Sequence, residues 1–382
     1  MTPRLRLYLI QAGLFLITIL TTTIAGTEWL NGESLFAGEQ MPAVRDLQKG
    51  LAFSLPFLAV LTVHEFGHYF TARKNRISVT LPFFLPLWLG PYTTIGTMGA
   101  FIRLKSRVRT NLQYFDIGIA GPLAGFAAAL VLLWYGFTHL PPADYLFTLH
   151  PEWKALGEQY AAYVYTPEAL SERGAVGLGD NLLLLFFKKY VATGPVPSSF
   201  DMAHYPFLFA GYLSLFFTAL NLFPIGQLDG GHILYGLIGE RGHRIVSPVI
   251  FIAFLFYAGL GWFRYQDFIL ADPTDFAIES GYLLAYTGLL FWCLSRLDLP
   301  YGYIAAIALA ILLVQLGLTY FYPEIDGYRG FLPFALMLGR FLGIHHPPAE
   351  VEVPIGWKRK VLGWFSLLVF VLCFSPTPFV IY

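Results

Sequence analysis

Charged side chains are scarce in this chain of 382 residues, because Asp, Glu, Lys and Arg together make up only 13% of it. That is about half the fraction found in soluble domains, which argues against a soluble globular protein. The 24 basic and 24 acidic side chains cancel, so nothing favours binding to nucleic acid or to an acidic partner. Only two cysteines are present, Cys293 and Cys373. Both lie in apolar runs without a metal-ligand neighbour, so we expect packed thiols.

Apolar residues take the place of charge and make up 56% of the chain. A helix needs an apolar run of roughly 20 residues to cross a bilayer. Such runs lie at about 7–25, 51–72, 114–138, 203–223, 245–263, 278–295, 300–321 and 360–381, with a shorter one at 329–344. The sequence therefore predicts an all-α polytopic membrane protein, a helical bundle of about eight or nine spans.

Basic residues at the ends of these runs predict the orientation. Arg4 and Arg6 place the N-terminus inside, and the densest basic cluster follows the second run, so we expect that loop to be cytoplasmic. The cluster comprises Arg73, Lys74, Arg76, Arg103, Lys105, Arg107 and Arg109. The polar loop 139–202 then falls outside. We expect a multi-pass protein of the cell membrane. Because no transit peptide is evident, a bacterial membrane is favoured. The first run is either retained as a helix or cleaved as a signal peptide.

The motif His64-Glu65-Phe66-Gly67-His68 lies inside the second apolar run. Two histidines four residues apart share one face of a helix, so both imidazoles can bind one metal ion. Glu65 can then polarise a water bound to that metal. Polar groups inside a membrane helix cost several kcal/mol unless they are paired, which favours a functional site. A hydrogen-bonded histidine pair or a haem site is the alternative interpretation.

A catalytic zinc needs a third protein ligand from another span. The best candidate is Asp229, in the segment Asn221–His232 between two apolar runs. Pro224 and three glycines in this segment interrupt the helix and let the backbone approach a site closely. We therefore expect Asn221 and Asp229 on either side of an unwound segment at membrane depth.

Together these motifs resemble the site-2 protease family of intramembrane zinc metalloproteases, and the larger bacterial and plastid-type members in particular. Ala120–Gly125, which reads Ala-Gly-Pro-Leu-Ala-Gly, is similar to the family's third-span signature. The resemblance implies one zinc per chain, with ligands His64, His68 and Asp229. It implies that Glu65 is the general base, and that Asn221 stabilises the tetrahedral intermediate.

The resemblance also implies a function. The substrate is a transmembrane helix of another protein, cut within the bilayer after an upstream protease has trimmed it. His68 lies about five residues before the basic cluster, so we expect the active site toward the cytoplasmic side. Two positions depart from the family pattern, because Gly125 stands where asparagine is common and Gly226 where a second proline is common.

A different class of function also uses such residues, because a transporter could move protons or cations through a His/Glu/Asp cluster. Carriers usually contain paired repeats with matched helix breaks, and the sequence contains no such repeat. Another kind of membrane zinc protease, acting on lipidated or soluble C-termini, would usually take a glutamate from a later helix as its third ligand. The Asp229 segment argues against it.

A small re-entrant β-element is predicted near the active site. Leu81–Leu89 is apolar but too short and too rich in proline to cross, and 93–104 is rich in glycine and β-branched residues. A protease that cuts a helix must first unwind it, and an exposed strand edge can hold the unwound peptide by backbone pairing. We expect such an edge within 93–104.

We predict three regions: 1–50, an N-terminal span and outer segment; 51–240, the catalytic membrane core; and 241–382, accessory spans. The sequence leaves the roles of two histidine segments undecided. His232 is either a partner close to the metal site or an interfacial histidine. His345-His346 lies either in a solvated loop or at the metal cavity, and the solvated loop is favoured.

Overall fold

A computed structural model describes residues 2–32, 44–90, 94–269 and 272–382. The α-helices are α1 (Pro3–Asn31), α2 (Val44–Lys74), α3 (Asn111–Thr138), α4 (Leu146–Leu149), α5 (Tyr160–Val164), α6 (Pro167–Glu172), α7 (Leu182–Tyr190), α8 (Pro206–Asn221), α9 (Asp229–Gly259), α10 (Tyr265–Ile269), α11 (Pro273–Leu294), α12 (Tyr301–Phe321), α13 (Leu332–Leu336) and α14 (Trp357–Cys373). Short 3-10 helices cover Ala143–Tyr145, Pro151–Gln159, Met202–His204 and Arg329–Phe331, and a π-helix covers Met337–Leu342. The strands are β1 (Phe83–Leu87), β2 (Gly96–Phe101), β3 (Val176–Leu178) and β4 (Phe379–Ile381).

Within the described ranges, six helices are long and apolar enough to cross a membrane. They are α1, α2 from Leu47, α3, α9, α11 and α12. The other three predicted runs form shorter helices: α8, α14, and α13 with its π-helical continuation. This architecture confirms an all-α polytopic membrane protein, while the number of crossings stays a prediction.

Helix α9 begins earlier than the apolar run at 245–263 indicates. It starts at Asp229 and continues to Gly259 through a break at Gly239, where φ is +72°. The stretch before 245 contains Glu240, Arg241 and Arg244, so hydropathy alone does not detect its helical character.

The described residues form two compact units, and the first comprises 1–108, 119–221 and 368–382. Within it, β1 pairs antiparallel with β2, so that Phe83 lies opposite Phe101 and Leu87 opposite Gly96. This hairpin packs on α1, where the Thr21 hydroxyl donates to the Gly96 carbonyl at 2.6 Å. The predicted small β-element is confirmed. Thr93, at the start of the predicted segment, lies outside the described residues, as does 33–43 of the predicted outer segment.

The polar loop 139–202 belongs to the same unit and folds into short helices and one strand. Strand β3 pairs antiparallel with β4, so that Val176 lies opposite Ile381. Trp153 is buried in this loop, with its ring stacked on that of His150 at 3.9 Å. The loop is therefore a packed structure held to the last strand of the chain.

The second unit comprises 109–118 and 222–367, with α9 packed against α12 and α13. The first turns of α3 bind the segment around α14. Asn111 Nδ2 donates to the Val353 carbonyl at 2.9 Å, and Arg359 donates to both carboxylate oxygens of Asp116 at 2.7 and 2.8 Å. These bonds fix where the chain enters α14.

Candidate metal centre

His64 and His68 lie one turn apart on α2, and their rings converge as the spacing predicts. Their Nε2 atoms are 3.0 Å apart, and the ring planes are inclined by 74°. The side chains of His64, Glu65 and His68 are all buried. Two imidazoles bound to one tetrahedral zinc at 2.0–2.1 Å would place their nitrogens about 3.3–3.4 Å apart. The observed separation is close to that value.

Glycines of α3 make room for this pair. A Cβ atom on Gly121 would collide with the ring of His68, and one on Gly125 would lie 3.1 Å from Cβ of His64. A Cβ atom on Gly67, inside the motif itself, would collide with the backbone carbonyl of Ala120. The segment Ala120–Gly125 therefore lets α3 pack directly against the histidine-bearing face of α2.

Asp229 is the first residue of α9, directly after the unwound segment that Pro224 and the glycines predict. Helix α8 ends at Asn221, so the two polar residues do lie on either side of a break. A Cβ on Gly230 would collide with the Leu222 carbonyl, which shows how tightly the turn is packed. The half-buried carboxylate of Asp229 lies in the first turn of the helix, where the helix dipole favours negative charge.

His64, His68 and Asp229 form a group of side chains that can hold a metal ion. One ligand atom from each lies within 4.8 Å of the ligand atoms of the other two. Two imidazoles and a carboxylate match the donors of a catalytic zinc, for which three protein ligands leave a fourth position open. The donor set and the geometry therefore fit zinc.

Glu65 and Asn221 are the two other predicted site residues. Glu65 Oε1 lies 3.9 Å from His64 Nε2, and its side chain is 8% exposed. A carboxylate so close to the metal-binding atoms can accept a proton there. Asn221 is half-buried at the end of α8, and its role stays a prediction.

Sequence reasoning placed His346 wrongly, since the favoured interpretation was a solvated loop. Its side chain is 6% exposed, and its Nε2 lies 2.6 Å from Nδ1 of His232. Its Nδ1 lies 2.6 Å from the carbonyl of Pro347. Burial lowers the pKa of His346 to about 3, so the ring is neutral. No local pattern reveals this contact, because 114 positions separate the two histidines.

A cavity of about 410 Å³ lies beside the folded loop 139–202. Aromatic walls and a buried acid line it, including Trp29, Trp153, Tyr165 and Asp201. Asp201 accepts a hydrogen bond from the Tyr165 hydroxyl, and burial raises its pKa to about 6. Burial lowers the pKa of the neighbouring His204 to about 4.

Comparisons with known proteins agree with the site. The model of peptidase family M50 matches residues 52–260, which include all three members of the group. "Probable zinc metalloprotease EGY2, chloroplastic" of Oryza sativa subsp. indica is 28% identical over 240 residues, which are 63% of this chain and 38% of that protein. The Arabidopsis thaliana protein of the same name is 28% identical over 234 residues, 60% of this chain and 36% of that protein.

A further relative is "Probable zinc metalloprotease EGY1, chloroplastic" of Oryza sativa subsp. japonica. It is 29% identical over 195 residues, which are 51% of this chain and 29% of that protein. The chain thus matches less than two fifths of the length of these relatives. No solved structure matches it.

Proposed function

Because this chain belongs to peptidase family M50, the site-2 protease family, we propose that it is an intramembrane zinc endopeptidase. It hydrolyses peptide bonds within transmembrane segments of membrane proteins. The observation that carries this proposal is the group of His64, His68 and Asp229, which supplies a catalytic zinc donor set among apolar helices. The relatives bear the names of zinc metalloproteases, and none is named as a transporter.

In this proposal His64, His68 and Asp229 are the ligands of one zinc ion. When bound, zinc acts as a Lewis acid and lowers the pKa of a coordinated water toward neutrality. The two histidines must be neutral and the aspartate ionised to serve as ligands. The close approach of α3 at Gly121 and Gly125 supports the role of the histidines by fixing their rings.

Glu65 is the general base and general acid. It takes a proton from the attacking water and passes it to the nitrogen of the leaving amine. Its position supports this role, because Glu65 Oε1 lies 3.9 Å from His64 Nε2 and a water bound between the ligands would lie close to the carboxylate. Asn221 donates its amide hydrogens to the oxyanion of the tetrahedral intermediate.

The hairpin β1–β2 supports a substrate-binding step. Each of its strands pairs only with the other within the described residues, so each leaves one edge without a strand partner. Met98 of β2 is 58% exposed, so this strand is accessible from outside the hairpin. An unwound substrate segment pairs with the edge of β2 and so presents its peptide bonds for hydrolysis.

The catalytic core covers 51–240, and the spans at 241–382 are accessory. We place the protein in the cell membrane with the active site toward the cytoplasmic side, because the histidines lie shortly before the basic cluster that begins at Arg73. The relatives, by contrast, are named as chloroplastic. An upstream protease acts first on the substrate.

Two variants test the proposal together. Glu65→Gln keeps the ligands and removes the base, so cleavage of a transmembrane substrate should fall by roughly 10²–10⁴-fold while zinc stays bound. His68→Ala should lose zinc and cleavage together. His139→Ala, an exposed histidine at the end of α3, is the control and should retain both. Substantial turnover by the glutamine variant, or purified wild-type protein without zinc, would overturn the proposal.

A further inference from the structure

One segment, 342–352, binds the turn that carries Asp229, and we call it the strap. It begins at the last residue of the π-helix Met337–Leu342 and ends before α14. On the near side of Asp229, Gln227 Nε2 donates to the Leu342 carbonyl at 3.1 Å. A Cβ atom on Gly226 would collide with the Gly343 carbonyl, so the two backbones are in direct contact.

Ser247 ties the strap to the same turn from within α9. Its hydroxyl donates to the Ile344 carbonyl at 2.6 Å and accepts from the backbone N–H of Gly226 at 3.0 Å. Both bonds are buried. Breaking a buried hydrogen bond is costly, because each polar group that is left unpaired away from water costs about 1–3 kcal/mol.

On the far side of Asp229, the contact is between two histidines. His232 lies one helical turn after Asp229, and its Nδ1 meets Nε2 of His346 at 2.6 Å. The ring of His346 stacks on that of Tyr235 at 4.1 Å. The Tyr235 hydroxyl accepts from the backbone N–H of Ala349 at 3.0 Å and donates to Glu352 at 3.2 Å.

The strap also fixes the proton positions on both rings. The carbonyl of Pro347 can only accept, so Nδ1 of His346 carries a hydrogen. Nε2 of the neutral His346 is then an acceptor, and His232 must donate to it from Nδ1. In a neutral His232, Nε2 then carries the lone pair and can only accept. One tautomer of His232 is therefore selected by a carbonyl on the strap.

We propose that the strap holds Asp229 in place for metal binding, and that His346 is a positioning residue that acts through His232. The contacts lie on both sides of Asp229, so the carboxylate cannot shift along the turn without breaking at least one of them. A ligand fixed before the metal arrives loses less conformational freedom on binding. This inference rests on the proposed zinc site and adds a region outside 51–240 to it.

The test measures how fast purified, zinc-loaded full-length protein releases zinc to a chelator. His346→Phe keeps the ring and its stacking on Tyr235 but removes both nitrogens. It should release zinc roughly 10-fold or more faster, as expected when a group that supports a metal ligand is lost. His346→Gln places an amide oxygen where Nε2 accepts from His232, so it should restore most of the wild-type rate. A role in packing alone would not produce this rescue.

His345→Phe is the matched control. It is the adjacent histidine, and its ring nitrogens have no hydrogen-bond partner within the described residues. Its zinc release should equal that of wild type. The absorption spectrum of the cobalt-substituted protein gives a second readout, which should change in His346→Phe and not in His345→Phe. Equal release rates and equal spectra for these two variants would overturn the inference.

The role of His232 is tested by a double-mutant cycle. If both histidines act through one bond, His232→Phe combined with His346→Phe should release zinc no faster than the more affected single variant. Additive effects would contradict action through His232. If His346→Phe does not fold, Ser247→Ala replaces it and should also release zinc faster than His345→Phe. Wild-type protein that binds no zinc would overturn the proposed function, and the inference with it.

Discussion

Gly121 and the ring of His68 occupy adjoining space so closely that a Cβ atom at position 121 would overlap the imidazole. The glycine of one helix thus sets the position of a side chain on another. In the sequence, the glycine–proline segment of α3 was only a signature similar to that of a family. This contact explains physically why it contains a glycine at position 121.

Gly121→Ala should therefore disturb the metal centre without touching a ligand. Overpacking of this kind costs typically 1–3 kcal/mol, and moving the His68 ring relieves it. We expect zinc affinity to fall roughly tenfold or more, measured by competition with a chelator. Gly13→Ala is the control, because nothing lies within 4 Å of the added Cβ and alanine favours the helix. Equal affinities in the two variants would contradict the prediction.

Asn221→Ala should separate catalysis from metal binding. An amide that stabilises only the transition state lowers kcat by roughly 10²–10³-fold when removed, with zinc content unchanged. Metal analysis and single-turnover cleavage check the two parts. Asn75→Ala, just after α2, is the control and should keep wild-type turnover. Loss of zinc in Asn221→Ala would indicate a structural role for this side chain.

Strand β2 should cross-link to bound substrate. A photoreactive residue in place of Met98 should capture a transmembrane substrate when Glu65→Gln prevents turnover. The same residue in place of Leu20 on α1 is the matched control, because both side chains are 58% exposed. Excess unlabelled substrate should abolish the product at position 98. Equal yields at the two positions would argue against substrate pairing with β2.

Asp201 should make stability depend on pH. Burial raises its pKa to about 6 in the folded protein, against about 4 in the unfolded chain. The protonated form is thus favoured on folding. Its stabilising contribution to the free energy of unfolding is complete below pH 4 and is lost as pH rises through 6. The loss amounts to at most about 3 kcal/mol. The Tyr165 hydroxyl and the nearby charge of Arg173 oppose this shift in pKa.

Asp201→Asn, which cannot ionise, should match wild type near pH 4 and be more stable at pH 7.5. Thermal unfolding in detergent across this range measures the difference. His204 titrates with the opposite sign, because burial lowers its pKa to about 4, but it is present in both proteins and cancels in the comparison. A difference that does not change with pH would exclude Asp201 as its source.

The local sequence predicted the parts of the site that depend on short-range periodicity. The spacing of His64 and His68 predicted their shared face, and the proline and glycines around Asp229 predicted a break that the structure confirms.

What sequence reasoning missed depends on contacts between distant positions. His346 follows a short apolar helix and precedes two prolines, a pattern typical of an exposed loop. Its burial comes from Tyr235 and His232, which no local pattern connects to it. Likewise the polar composition of 139–202 did not predict β3, because its partner β4 lies near residue 380.

The two ends of α14 constrain how often the chain crosses the bilayer. Arg359, in its first turn, binds Asp116 near the start of α3, whereas β4 follows its last turn and pairs with β3 in the loop after α3. Both helices therefore run in the same direction. Between the end of α3 and the start of α14 the chain must return to the side from which α3 departed, which takes an odd number of traverses. An odd number agrees with the prediction of nine crossings, in which the short helix before the strap completes a traverse.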